Sequence, residues 1–314
     1  MRRRPPPDVR ELLAERSAAR AAGDFETADA LRDRMRALGW EAVDGRGSSM
    51  ARPALPDEPA GATGYARPED LASLLDAPAA VGASVQVVAE DHPEDLERFL
   101  RGFAAHRPHD CELVVVANAP TFGLDPLLAG TEVALLPTSE RLGWADSRNL
   151  GLRRSRGEIT IMVDTSLEPT GDFVTPLLAA FDDPHVGVAG GWGVVSADAR
   201  QFNDAPPGEV DAVEGYCLAV RREVLRDAGL FERRFAFYRN ADLDFSFQVR
   251  AAGWLAVRVD ELPLERHEHR GYTAHPSEER DRLSKRNFYR FLKRWGDRRD
   301  LLLHPATPRM PADD

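Results

Sequence analysis

The chain has 314 residues, 43% of them hydrophobic, with a formal net charge of −11. That length allows one large domain plus a small one, and the negative charge argues against general DNA or RNA binding by bulk electrostatics. Cys111 and Cys217 are too few for a disulfide framework or a Cys-based metal site, so both read as reduced, buried small hydrophobes. No apolar run reaches the length of a membrane span, and Met1-Arg2-Arg3-Arg4-Pro5-Pro6-Pro7 has no apolar core behind its basic residues. A cytoplasmic protein without a transmembrane segment is the expectation.

Residues 1–45 read as a helical hairpin. A first helix from Val9 to Ala22 stops at Gly23, and Asp24 is a good N-cap for a second. Ala28, Leu31, Met35 and Leu38 then recur on one face, with Gly39 as C-cap. Such a hairpin has little core of its own and should dock or self-associate, which makes a homo-oligomer an expectation. Residues 46–82, rich in Pro, Gly, Ala and Ser, read as a linker with a short helix from Pro68 to Leu75.

The texture changes over 83–304, ahead of a tail at 305–314. Ser84–Ala89, Glu112–Ala117, Val133–Leu136 and Ile159–Val163 read as strands. Pro93–Ala105 and Ala145–Arg154 read as the helices between them. Alternating strands and helices predict an α/β fold with a mostly parallel sheet flanked by helices. Sites in such folds lie at the carboxyl ends of the strands.

Three such places carry polar clusters. A glycine turn at Gly143 leads into a helix bearing Arg148 and Asn149. The strand ending at Val163 is followed by Asp164-Thr165-Ser166. Farther on, Asp242 and Asp244 sit two residues apart behind Tyr238, before a helix that stops at Gly253. Paired carboxylates can act as a general base or hold a cation; the plainer use is to favour a helix N-terminus. Trp144 reads as packing, with a sugar platform as its other use. The stretch from Arg266 to Arg299 is rich in Arg and His and holds both lysines, Lys285 and Lys293, so a local anion site is possible there.

Two family resemblances follow from these residues. Arg16, Ala18, Arg20, Asp24-Phe25, Ala28-Asp29, Leu31-Arg32, Leu38-Gly39 and Asp44 resemble the small C-terminal helical element of cysteinyl-tRNA synthetases. That resemblance would imply tRNA contact, whereas the residues themselves favour a docking or dimerising hairpin. Residues 84–296 resemble family 2 glycosyltransferases of the GT-A fold. The matching pieces include Gly143-Trp144, Arg148-Asn149-Leu150-Gly151, Asp164, Asp183-Pro184, Val186-Gly187-Val188-Ala189-Gly190-Gly191 and Glu214-Gly215. Further on are Arg221-Arg222-Glu223, Gly229-Leu230-Phe231, Asp242-Leu243-Asp244, His267 or His269, and Arg286-Asn287-Phe288 with Trp295-Gly296.

This second resemblance implies a GT-A-like domain that transfers a sugar from a nucleotide-diphosphate donor to an acceptor, with inversion. It places Asp242 as the base, with Asp244 supporting it or shaping the pocket. It places Arg148 and Asp164 against the donor diphosphate, and Asp164, Ser166, His267 and His269 around a divalent cation, Mg²⁺ or Mn²⁺. The chain also departs from the family pattern. Ser166 stands where a second metal-binding carboxylate is usual, and a neutral oxygen holds a hard cation less well; Glu168 or a His could compensate. Ala117 replaces the Asp that pairs with the nucleotide base, leaving Asn118, with Glu90 or Asp91 as substitutes. Ala241 replaces an acid before the base, and Gln248 replaces an Arg. Three readings remain: an active transferase with altered donor or metal handling, an inactive GT-A-fold binding module, and another phosphate-ester or nucleotide enzyme.

Overall fold

The computed structural model describes residues 5–38, 40–45, 48–53 and 64–305. The chain divides into two compact units, Met1–Ala62 with Ala77–Gly82, and Thr63–Asp76 with Ala83–Asp314.

The first unit holds helices α1 (Pro7–Ala21) and α2 (Phe25–Ala37) and an antiparallel ribbon of β1 (Trp40–Gly45) and β2 (Ser48–Pro53). Pro7 begins α1, where its missing N–H costs nothing. Gly23 makes the turn at φ +75°, and Asp24 caps α2 by accepting the Thr27 N–H at 3.0 Å. Val9, Leu12, Leu31, Met35 and Trp40 form a small core. Ala28, Leu31 and Met35 of the expected face are buried, but Leu38 is 49% exposed. The helix has ended at Ala37, and Trp40 fills the core instead. β2 lies in the segment read as linker. The expected cap Gly39, residues 54–63 of that linker and residues 306–314 of the tail fall outside the described residues.

The second unit opens with a 3₁₀ turn at Pro68–Asp70, shorter than the helix expected there. Its elements then run β3 (Val81–Ala89), α3 (Pro93–His106), β4 (Cys111–Ala117), α4 (Asp125–Leu128), β5 (Ala134–Pro137), α5 (Trp144–Arg154), β6 (Gly157–Val163) and β7 (Leu167–Pro169). They continue with α6 (Val174–Ala179), β8 (Val186–Gly190), β9 (Gly193–Ser196), β10 (Phe202–Asp204), β11 (Gly208–Glu209), β12 (Ala212–Val213), β13 (Cys217–Arg221) and α7 (Arg222–Asp227). The last are α8 (Ala241–Ala251), β14 (Leu255–Arg258), β15 (Leu264–Arg266), α9 (Arg270–Thr273) and α10 (Ser277–Trp295).

The main sheet has eight strands in the order β11-β14-β8-β13-β6-β3-β4-β5. β3, β4 and β5 pair in parallel, as do β8 and β14. This is the α/β architecture expected, a mostly parallel sheet flanked by helices. β13 runs against the grain, antiparallel to both β6 and β8. Its first residue, Cys217, pairs with Val163, the last of β6. The start of β13 therefore shares one sheet edge with the carboxyl end of β6.

Packing follows the sequence pattern. Leu96, Phe99, Leu100 and Phe103 form the buried face of α3, and β4 is buried throughout. Gly151 lets α5 lie against Gln86 of β3; a Cβ there would overlap that amide, which donates to the Arg148 carbonyl at 2.8 Å. Between β3, β4 and β6, buried Glu112 accepts from Ser84 Oγ at 2.5 Å and from Arg156 Nε at 2.7 Å. Both cysteines are free and buried, and burial pushes each thiol up to about 12. Among the described residues no helix is long and apolar enough to cross a membrane.

Candidate active site

Two clefts open at the carboxyl-end edge of the sheet. The first encloses about 520 Å³. It is lined by Glu90 and Asp91 after β3, Arg148 from α5, Asp164–Ser166 after β6, Tyr238, and by His269, His275 and Arg286. Asp164 is held from several sides. Its backbone N–H donates to the Tyr216 carbonyl at 2.8 Å, its Oδ1 accepts the Ser166 N–H at 2.9 Å, and its Oδ2 lies 3.3 Å from His269 Nε2. Burial pushes this carboxyl up, but His269, Ser166 and the Arg148 charge outweigh burial and hold it well below the usual range.

Burial lowers the His269 imidazole, but its bond to Asp164 wins and raises it. Tyr272 N–H is shared between the His269 carbonyl at 3.0 Å and its Nδ1 at 3.1 Å, while Nε2 faces Asp164. Arg148 is buried, donates to the Val163 carbonyl at 3.2 Å and lies over the Trp144 ring at 5.7 Å. Burial pulls its pKa down, against the charges of Asp164 and Glu90, yet an Arg stays protonated.

Asn118 does not line this cleft. Its amide is spent on scaffolding: Oδ1 accepts the Leu142 N–H at 2.7 Å, and Nδ2 donates to the Leu142 carbonyl at 3.1 Å and to Glu90 Oε1 at 2.9 Å. It thereby pins the loop before α5 and presents the Glu90 carboxylate to the cleft. Asp91 is engaged by Arg141 at 2.6 and 2.7 Å. Arg286 makes no ion pair or hydrogen bond among the described residues, so its charge is available to an anion entering the cleft.

The second cleft encloses about 290 Å³ and shares Trp144, Asp164, Tyr238 and His269 with the first. Asp242, in the first turn of α8, faces it. Asp242 Oδ2 accepts the Gly215 N–H at 2.8 Å and Oδ1 accepts the Leu243 N–H at 2.9 Å. Burial is the largest influence and leaves this carboxyl above the usual value, despite those two donors and Arg239. Gly215 is a glycine for space. A Cβ there would lie 3.3 Å from Asp242 Cβ and 3.4 Å from Oδ2, crowding the carboxylate. Asn240, the residue capping α8, takes a left-handed φ of 64°, a strained conformation at the cleft wall.

Of the residues singled out from the sequence, Glu90, Asp91, Trp144, Arg148, Asp164, Ser166, His269 and Asp242 therefore border the two adjoining clefts. Asp244 does not. Two residues along a helix turn the side chain by about 200°, so Asp244 points away from the cleft that Asp242 faces. It is buried, accepts from Trp295 Nε1 at 2.8 Å and pairs with Arg294, tying α8 to α10; burial pushes it up to about 6. His267 is likewise drawn off, with Nε2 2.9 Å from Glu168 Oε2 across the β7–β15 ribbon. Glu214, Tyr216 and Tyr238 line the second cleft as well; Glu214 and Tyr238 had been named as parts of motifs but given no role, and Tyr216 had not been named. Glu214 and Tyr216 arrive through the antiparallel setting of β13, which a strand-by-strand reading of the sequence does not reveal.

The open α/β sheet thus carries two adjoining clefts, one lined by Arg148 and Arg286 and one by the buried Asp242 carboxylate. Residues 84–247 match the family described as Glycosyl transferase family 2, and the chain belongs to that family. Residues 3–42 match the Cysteinyl-tRNA ligase anticodon binding domain. No protein of curated function matches the chain.

Similar solved structures include GalNAc-T7 with UDP, GalNAc and Mn²⁺, at a TM-score of 0.57 and 15% identity, over 69% of this chain and 48% of that one. Another is the mannosyltransferase PcManGT from Pyrobaculum calidifontis in complex with GDP-Man and Mn²⁺, at 0.54 and 22%, over 72% and 68%. A third is S. aureus TarS, at 0.48 and 14%, over 69% and 44%. The chain thus spans about half the length of GalNAc-T7. At these identities the likeness is one of fold, the GT-A glycosyltransferase fold.

Proposed function

We propose that this chain is an inverting glycosyltransferase that uses a nucleoside-diphosphate sugar, with Asp242 as general base. The observation that carries the reading is the wall shared by the two clefts, which sets cationic groups and a buried carboxylate on either side of one seam. Family membership supports a nucleotide-sugar glycosyltransferase; the mechanism and the residue roles are our inference.

The donor occupies the first cleft, with its base toward Glu90, a carboxylate that can accept a base N–H. Its diphosphate lies toward Arg148, His269 and Arg286, whose charges oppose the negative charge gathered on departure. The acceptor occupies the second cleft. Asp242 takes the proton from the acceptor hydroxyl as that oxygen bonds to the anomeric carbon. The anomeric carbon–oxygen bond breaks, and its electron pair leaves on the nucleoside diphosphate. A single displacement of this kind inverts the configuration. A base with a raised pKa is better matched to this task than an ordinary Asp.

Asp164 and His269 offer one carboxylate oxygen and one imidazole nitrogen at a single point. They fit a divalent cation such as Mg²⁺ or Mn²⁺ that takes its other ligands from the donor phosphates, as Mg²⁺ commonly does. When bound, such an ion would neutralise charge on the leaving diphosphate. Binding through His269 Nε2 requires that nitrogen to give up its proton.

Calorimetric titration of UDP and GDP, with and without Mn²⁺, tests the donor site. One nucleotide should bind, more tightly with Mn²⁺, and Asp164→Asn should remove the metal dependence. The missing second carboxylate at Ser166 favours a second reading, an inactive binding module; absence of binding by either nucleotide would reject the transferase reading.

A further inference from the structure

Glu214 has no role in the chemistry described so far. Its residue is half-buried at the second cleft, and its carboxylate makes no hydrogen bond or ion pair among the described residues. It directly precedes Gly215, whose N–H holds Asp242 Oδ2 at 2.8 Å, so the Asp242 carboxylate is tied to the backbone beside Glu214. A half-buried carboxylate without a partner is costly unless something else supplies a donor. Burial, and then the Asp242 charge, push its pKa up, as expected of such a group.

Two rings of the same cleft are fixed from behind. Arg266 covers one face of Tyr216, 4.1 Å from its centroid, and His269 stacks on Tyr238 at 4.9 Å. Trp192 meets Tyr216 edge-on at 5.9 Å and Tyr272 meets Tyr238 edge-on at 5.6 Å, and both tyrosines line the cleft. Rigid aromatic faces beside acceptor-only carboxylates suit a ligand with an apolar ring face and hydroxyls at its edge. Arg200 and Arg239 also line the cleft, so its charge is mixed, and it is the aromatic faces beside the two carboxylates that favour a sugar ring.

Building on the transferase reading, we propose that Glu214 is an acceptor-positioning residue: it accepts a hydrogen bond from a second hydroxyl next to the attacking one, and the acceptor is a sugar ring. Asp242 receives the proton of the attacking hydroxyl, while Glu214 fixes which hydroxyl that is.

The test uses the full-length chain with saturating donor and a panel of methyl glycosides, followed by deoxy analogues of the best acceptor. A hydrogen bond to a charged group is worth roughly ten- to a hundredfold in kcat/KM. The parent should lose that factor when the neighbouring hydroxyl is removed. Glu214→Ala should lose it for the intact glycoside, raising acceptor KM, and lose nothing further with the deoxy analogue. Glu214→Gln should fall between the two. Nucleotide affinity, unchanged in both variants, shows that the fold is intact.

Equal sensitivity of parent and Glu214→Ala to the missing hydroxyl overturns the proposal. So does rejection of every glycoside by a chain that still binds nucleotide and hydrolyses donor. Loss of nucleotide binding in the parent itself overturns the transferase reading and this one with it.

Discussion

Replacing Asp242 by Asn separates the base from the fold. The carboxylate accepts two backbone N–H groups, Gly215 at 2.8 Å and Leu243 at 2.9 Å. An Asn side chain has one acceptor oxygen, so one of those N–H groups loses its partner. That costs about 1–3 kcal/mol, or roughly 2–4 °C of melting temperature for each kcal/mol in a domain of this size. The loss of general-base catalysis is larger, about 10²–10⁴ in rate, or roughly 3–5 kcal/mol of barrier.

Nucleotide affinity should be unchanged, because Asp242 lines the second cleft and not the first. Release of UDP or GDP from the matching nucleotide sugar, followed at a temperature well below both melting points, reads the rate. Burial raises the Asp242 pKa, so the base is protonated at a higher pH than an ordinary Asp. Parent kcat/KM should therefore fall as pH drops through that raised value, and the Asn variant should lack that limb. A variant that turns over within about twofold of the parent would refute the assignment, since no general base is removed at so little cost.

Other consequences concern the scaffold. Asn118→Ala strands the Leu142 N–H and carbonyl and releases Glu90, so urea unfolding should show a loss of about 1–3 kcal/mol for each stranded group, together with weaker nucleotide binding; unchanged stability would contradict the scaffolding role. Glu112→Gln leaves Arg156 and Arg154 beside an uncharged partner in the core, and breaking such a pair costs about 3–5 kcal/mol. Burial raises Glu112, but Arg156 and Arg154 overcome it and lower the folded pKa below 4.5. Its stabilising share is therefore present above the unfolded value and lost as pH falls. The stability gap between parent and variant should narrow below about pH 4.5, and a gap that widened there would contradict the pairing.

The sheet was legible because β4 and β6 are short continuous apolar runs and α3 carries an unbroken buried face. Asp164 and Arg148 were legible because they stand at strand ends and helix starts, where open α/β sheets place ligands. The limits were equally physical. Asp242 and Asp244 looked like a pair until the helix turned them apart, and the fifty residues of chain between Asp244 and Arg294 hid its true partner. His267 and His269 could not be told apart without the β7–β15 ribbon, which gives one to Glu168 and the other to Asp164. Asn118, offered as a stand-in for the base-reading Asp that Ala117 replaces, spends its amide on Leu142 and Glu90. Glu214 was named in a motif without a role, because its place was set by strand direction: only when β13 is seen to run antiparallel does its amino end fall beside the end of β6.

The measurement that reaches the central claim most directly is proton NMR of the transfer reaction. The parent chain is mixed with its nucleotide sugar, diamagnetic Mg²⁺ and an accepted glycoside, and the anomeric signals are followed in time. A single displacement at the seam between the two clefts predicts that the donor's α-linked signal is replaced by a β-linked product, or the reverse, from the first turnover. A product with the donor's own configuration, or no glycosidic product while donor is consumed, would contradict it.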